Sequence, residues 1–199
     1  IKQESLDEVA KAVGKVETIS AITEKAMAGK LDFNQSLEQR VSMLKGTPQS
    51  VILGQAKSIN LQPGMMEFTS QCQKRKIPIF LVTGGFQEFA AEIKERLNIE
   101  DFHCNYFAIK DNKLTGRLEK KIVGPKEKKI WLEQTCRKLG VLPHNTVAIG
   151  DGANDLDLLS AAGLAVGFKP KPVLHRTLLA ANVTGDHRFM GPLLFDHEI

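Results

Sequence analysis

The 199-residue sequence has no apolar run of the roughly 18–20 residues that a membrane helix requires. Its start carries no signal-peptide pattern, and it opens on Ile1 rather than Met, which reads as a trimmed or processed end. Cysteine is scarce. Cys72, Cys104 and Cys136 are odd in number, far apart and in no metal-ligand spacing, which argues against a disulfide framework and a zinc cluster. Free thiols in a reducing compartment, and so a cytoplasmic protein, are expected. One-sided charge is also lacking: 27 Lys and Arg face 23 Asp and Glu, a net charge of +4. The basic residues are scattered, apart from a short run at Lys120-Lys121, Lys126 and Lys128-Lys129. A nucleic-acid binder carries a stronger excess on one face, so no nucleic-acid partner is expected; the mild positive balance is compatible with a small anionic substrate without demonstrating one. No internal repeat or low-complexity tract is present. What remains is ordinary globular composition, 42% hydrophobic and 25% charged, in a length that suits one medium domain or a core with a smaller insertion.

Residues 1–60 carry helical spacing throughout. Helices are expected at 4–13, 18–28, 35–45 and 48–59, with Asn34 as a cap, Thr47-Pro48 as a start, and Gly14, Gly29 and Gly46 as stops. Four short helices with short connections suggest a small bundle. The pattern changes after Leu61-Gln62-Pro63-Gly64. A helix at 65–75 precedes an apolar strand at 77–82, broken by Thr83-Gly84-Gly85, and a helix at 86–97. Segments 102–109 and 113–123 flank Asp111-Asn112 as a hairpin region. A helix at 126–139, strand 146–149, helix 156–162 and strand 164–168 follow. A helix at 173–180, a strand at 182–184 and a weak helix near 189–194 close the chain. Alternating strands and helices from residue 61 onward imply an α/β core with a parallel sheet.

Three stretches carry chemistry. Val147–Ser160 is an apolar strand, the turn Gly150-Asp151-Gly152-Ala153-Asn154-Asp155, and a helix. Ligands sit at the C-terminal ends of parallel strands. Two carboxylates there, with glycines that allow close approach, suit a hard cation such as Mg²⁺ and its phosphate. A plain helix N-terminus accounts for one Asp or Asn, and less well for the whole string. Thr83-Gly84-Gly85 offers a hydroxyl and backbone N–H groups to an anion, or else is an N-cap with a glycine turn. Lys126, Lys128 and Lys129 stand at a helix start, where cations oppose the helix dipole. One of them is a candidate for an anionic site; a solvated face is the alternative.

Together these stretches resemble motifs II, III and IV of the haloacid dehalogenase superfamily. Three further strings, Glu4–Ala10, Ala26–Phe33 and Ser36–Val41, look like the helical cap of phosphoserine phosphatases. The resemblance covers nearly the whole chain and weakens after Pro172. It implies a Rossmann-like parallel-sheet core at 61–199, with a hairpin insertion at about 102–123, and a helical cap at 1–60. It implies a Mg²⁺-dependent hydrolase converting O-phosphoserine to serine and phosphate through an aspartyl phosphate, the last step of serine synthesis. In this likeness Asp151 ligates Mg²⁺ and Asp155 supports the metal site. Thr83 and the Gly84 N–H bind phosphoryl oxygens, and Lys128 neutralises charge on the nucleophile and the phosphate, with Lys126 and Lys129 as less favoured rivals. Asn154 contacts the phosphate region. Glu4 reads the substrate ammonium and Arg40 its carboxylate, while Met27 and Phe33 line the cap side.

The family's first motif, Asp-x-Asp-x-Thr after an apolar strand, is absent from these residues. Asp155-Leu156-Asp157 is the only Asp-x-Asp, and it sits past the fourth motif. The missing segment carries the nucleophile and the central strand, so a gap is expected between the strands ending at Val82 and Ile149. The chain by itself is expected to be inactive. The alternatives are a phosphatase for another small phosphomonoester, and a catalytically inactive phospho-ligand-binding relative.

Overall fold

A computed structural model describes residues 4–27, 31–172, 174 and 181–183. The first elements are helices α1 (Ser5–Ala12), α2 (Val16–Met27), α3 (Phe33–Met43), α4 (Gln49–Lys57) and α5 (Met65–Lys74). Strand β1 (Phe80–Phe86), helix α6 (Gln87–Leu97) and strands β2 (Asp101–Asn105), β3 (Phe107–Lys110) and β4 (Lys113–Leu118) follow. Helix α7 (Pro125–Leu139), strand β5 (Val147–Gly150), helix α8 (Leu156–Ala161) and strands β6 (Leu164–Phe168) and β7 (Ala181–Val183) complete the order. The expected closing helix near 189–194 and most of the one at 173–180 lie outside the described residues.

Packing divides the chain into two compact units: Ile1–Leu61 with Thr83–Ile122, and Gln62–Val82 with Val123–Ile199. The first unit thus ends its helical part at Leu61 and also takes in Thr83–Ile122, which the expected division assigns to the core. The first unit has one core in which Leu6 and Val9 of α1, Leu37 and Val41 of α3 and Ile52 of α4 meet Phe89, Phe107 and Leu114. The hairpin thus packs with the helices: the Gly46 and Leu114 backbones are joined, and Pro48 bridges Lys113.

Several local expectations change. The Thr83-Gly84-Gly85 stretch lies inside β1, which runs on to Phe86. Pairing with β2 and a bond from Asn105 Nδ2 to the Gly84 carbonyl, 2.8 Å, hold the glycines extended. The expected strand at 102–109 is two strands in different sheets, β2 beside β1 and β3 beside β4. The cap of α3 is Asp32, whose side chain accepts the Gln35 N–H at 2.8 Å, in place of Asn34. Pro48, in place of Thr47, occupies the N-cap position of α4. Asp111 and Asn112 do form the hairpin turn, with φ of 51° and 57°, the left-handed pair of a tight two-residue turn.

In the second unit β5, β6 and β7 form a parallel sheet. Alternation along the strands covers both faces. Ile149, Val166 and Phe168 pack with Phe68 and Cys72 of α5. Ala148 and Ala165 pack with Leu158 and Leu159 of α8 and Leu132 of α7. Among the described residues no ladder joins β1 to β5, the pair expected to flank the absent strand. All three cysteines are buried and free, and burial pushes the Cys104 thiol up to about 11.

Candidate functional site

The second unit builds its candidate centre at the C-terminal end of β5. The chain leaves the sheet at Gly150 and turns through a single 3-10 turn into α8. Asp155 organises this turn. Its Oδ2 accepts the N–H of Asp151 at 3.0 Å and of Gly152 at 3.2 Å. Its Oδ1 accepts Lys128 Nζ at 2.6 Å. Lys128 is 4% exposed and Asp155 7%. A charge so far from water is tolerated only when paired and hydrogen-bonded, and here both conditions are met.

Lys128 arrives from the first turn of α7, which starts with Pro125 after Gly124, whose N–H reaches Glu127. Its rivals are placed otherwise. Lys126 is exposed, and Lys129 is exposed and 4.0 Å from Glu133 on its own helix. The resemblance prefers Lys128 among the three lysines, and burial sets it apart from the other two.

Asp151 is the opposite case. Its carboxylate is exposed and, among the described residues, meets no donor or cation. Asn154 is half-buried, and its Oδ1 lies 2.9 Å from where a Cβ on Gly152 would stand. A Cβ on Gly150 would meet Asp155 Cβ, Cγ and Oδ2 at 2.6, 2.8 and 2.9 Å, so only glycine lets that carboxylate close on the strand end.

This donor set bears on a metal. Among the described residues no three His, Cys, Asp or Glu side chains gather into a cage. Asp155 is engaged inwards by a lysine and two N–H groups, so it supports the turn; the open oxygen donor is Asp151. A single open carboxylate is a donor set compatible with Mg²⁺, which keeps several waters and is held by few protein oxygens.

The first unit gathers the remaining residues. Thr83 and Gly84 lie in β1, and Thr83 Oγ1 accepts the Gly85 N–H at 2.9 Å, which leaves its O–H free to donate. Gly85 has no side chain, and a Cβ there would stand 3.2 Å from Thr83 Oγ1 and 3.4 Å from Ser5 Oγ. The start of α1 therefore lies close to the Thr83 stretch, with the exposed Glu4 as its N-cap residue. Arg40 is half-buried on α3, with its Nε bonded to the Ser36 carbonyl at 3.3 Å. Burial pulls its guanidinium below the ordinary arginine range, and the carboxylates of Glu4 and then Asp7 oppose that. Phe33, two helical turns before Arg40, packs against the helical core. Met27 ends α2, and its side chain lies outside the described residues. Ser5, Asp7 and Asn105 were not singled out by sequence; their proximity to Thr83, Arg40 and Gly84 is tertiary.

These features meet in one family. A model of the haloacid dehalogenase-like hydrolases matches residues 1–160, and the chain belongs to that family. Among its curated relatives are several named phosphoserine phosphatases. The protein of that name from Haemophilus influenzae is 40% identical over 172 residues, which cover 86% of this chain and 55% of that one. The one from Methanocaldococcus jannaschii is 37% identical over 174 residues, covering 87% and 82%. A solved substrate-bound phosphoserine phosphatase complex superposes with a TM-score of 0.87 at 35% identity, over 94% of this chain and 90% of that one. The chain spans about half the length, 51–55%, of several of the curated relatives it matches. No helix among the described residues is long and apolar enough to cross a membrane.

Proposed function

We propose that this chain is the cap and most of the core of a Mg²⁺-dependent phosphatase that hydrolyses O-phosphoserine to serine and phosphate. The observation that carries this reading is the turn after β5: a buried Lys128–Asp155 pair behind an open Asp151 carboxylate. The relatives named above supply the substrate. In this reading Asp151 holds Mg²⁺, which supplies positive charge to the phosphoryl oxygens. Thr83 Oγ1, the Gly84 N–H and Asn154 hold the phosphate. Lys128 holds its own charge in a fixed, water-poor position, which is how electrostatic stabilisation of a transferring phosphoryl group is delivered.

The substrate head group is a zwitterion, and the first unit offers one charge of each sign. Glu4 meets the ammonium, and Arg40 takes the carboxylate in a bidentate grip. Met27 and Phe33 line the apolar side. The nucleophile of an aspartyl-phosphate route is not among these 199 residues, so it is supplied from outside them. The reaction is the last step of serine synthesis, in the cytoplasm, on a freely diffusing substrate with no nucleic-acid or membrane partner.

Two measurements test the reading. The 199 residues by themselves, with MgCl₂ and O-phosphoserine, are expected to release no phosphate; sustained turnover refutes the external nucleophile. In the intact protein Arg40→Ala is expected to raise KM for phosphoserine about tenfold or more, the loss of a charged hydrogen-bonded contact. Turnover of p-nitrophenyl phosphate, which has no amino-acid head group, should stay within twofold. An unchanged phosphoserine KM favours a different small phosphomonoester.

A further inference from the structure

Lys171 lies between Pro170 and Pro172, three residues past β6, and no part of the reading above uses it. Its backbone N–H donates to the Asp151 carbonyl at 2.8 Å. Its Cδ and Nζ would each stand 3.7 Å from a Cβ on Gly152, so the side chain lies alongside the glycine that follows Asp151. The placement is not casual. The main-chain bond and the flanking prolines fix where the stem begins, and a bare glycine gives it room.

The charges around the turn can be assigned. Lys128 is neutralised at 2.6 Å by Asp155, and both are buried. Asp151 is exposed and, among the described residues, without an ion-pair partner. Lys171 is exposed, and its ammonium likewise has no acidic partner among the described residues. Among the described residues, Lys171 is thus a cation at this turn with no carboxylate partner, whereas Lys128 shares its charge with Asp155. A cation beside a metal-binding carboxylate weakens metal binding unless an anion joins them. With an anion present, both positive charges act on it.

We propose that Lys171 is a phosphate-binding residue of this centre, its ammonium meeting the phosphoryl group presented over Gly152. The proposal rests on the phosphatase reading for the identity of the anion. It adds a contact that acts on phosphate and not on the metal.

The test is orthophosphate binding to the protein in MgCl₂ by calorimetry, for wild type, Lys171→Met and Lys171→Arg. Methionine keeps the stem and the backbone N–H and removes the charge. Lys171→Met is expected to weaken orthophosphate about tenfold, as loss of a charged hydrogen bond does, and Lys171→Arg less than threefold. Mg²⁺ affinity measured without phosphate should be unchanged or slightly tighter in Lys171→Met. In turnover the loss should appear in KM and in product inhibition more than in kcat. Equal orthophosphate affinity in wild type and Lys171→Met overturns the proposal and leaves the phosphatase reading standing. Failure of the wild type to bind orthophosphate at all overturns the phosphate site itself. The side chain is exposed, and matching urea midpoints confirm that the variants are folded.

Discussion

The buried pair between Lys128 and Asp155 is open to a double-mutant cycle. Asp155 accepts at both oxygens, from Lys128 on one and from two backbone N–H groups on the other. Asparagine has one oxygen and one NH₂, so either orientation of Asp155→Asn sets a donor against a donor. It also strands the Lys128 ammonium at 4% exposure. Lys128→Met strands a carboxylate at 7% exposure. Removing one partner of a buried pair costs about 3–5 kcal/mol. Independent losses would therefore sum to about 6–10 kcal/mol. In the double variant no buried charge is left, the asparagine oxygen keeps the two N–H groups, and its NH₂ faces methionine. One unsatisfied group costs about 1–3 kcal/mol. The double variant is thus expected to lose at least about 3 kcal/mol less than the additive sum, a coupling at the top of the range for touching residues. Urea unfolding of all four proteins, followed by far-UV circular dichroism, measures this. Additivity to within about 0.5 kcal/mol, the behaviour of distant sites, would show that the two charges do not depend on each other.

Two further outcomes follow from single side chains. Glu88 is half-buried, its Oε2 is buried with no partner among the described residues, and burial raises its pKa. A carboxyl raised in the folded state stabilises less as pH climbs through that value, so Glu88→Gln should gain about 1 kcal/mol at pH 7. The gain should vanish near pH 4, and a variant equally stabilised at both pH values would refute the assignment. Gly150→Ala drives a methyl into the Asp155 side chain and should cost about 1–3 kcal/mol, the price of overpacking. Gly152→Ala meets only the movable ends of Asn154 and Lys171 and should cost less; the reverse order of urea midpoints would be inconsistent with the turn as described.

The elements that sequence reveals here are those with a local cause. The strand and helix around Gly150–Asp155 show because a short continuous apolar run gives way to helical apolar spacing across a glycine turn. The hairpin shows because Asp and Asn tolerate positive φ at residues 111 and 112. What sequence misreads has a distant cause. Gly84-Gly85 reads as a break, yet a neighbouring strand and Asn105 keep it extended. Asp32 and Asn34 are equally good caps on paper, and the capping bonds with Gln35 decide for Asp32. Charge and helix position alone do not tell Lys128 from Lys126 and Lys129; the resemblance prefers it, and its burial comes only from laying α7 against the β5 turn. Lys171 carries no pattern of its own, because its placement depends on where β6 delivers it.

The two aspartates of the turn show how one residue type acquires two uses. Asp151 and Asp155 are four residues apart, and a 3-10 turn followed by α8 sends one outward and the other inward. The inward carboxylate meets a lysine and two N–H groups, and its charge is cancelled where it stands. The outward one keeps its charge in water. The turn therefore presents one negative charge to a cation, not two. With Lys171 counted, its exposed face has one charge of each sign and no net charge. Such a face repels neither a phosphate ester nor Mg²⁺ at long range, and it favours their joint arrival, each neutralising the other beside the group it needs. Gly150 makes the division possible. With a methyl at that position, Asp155 could not close on the strand, the loop N–H groups would lose their acceptor, and Lys128 would have no reason to be buried.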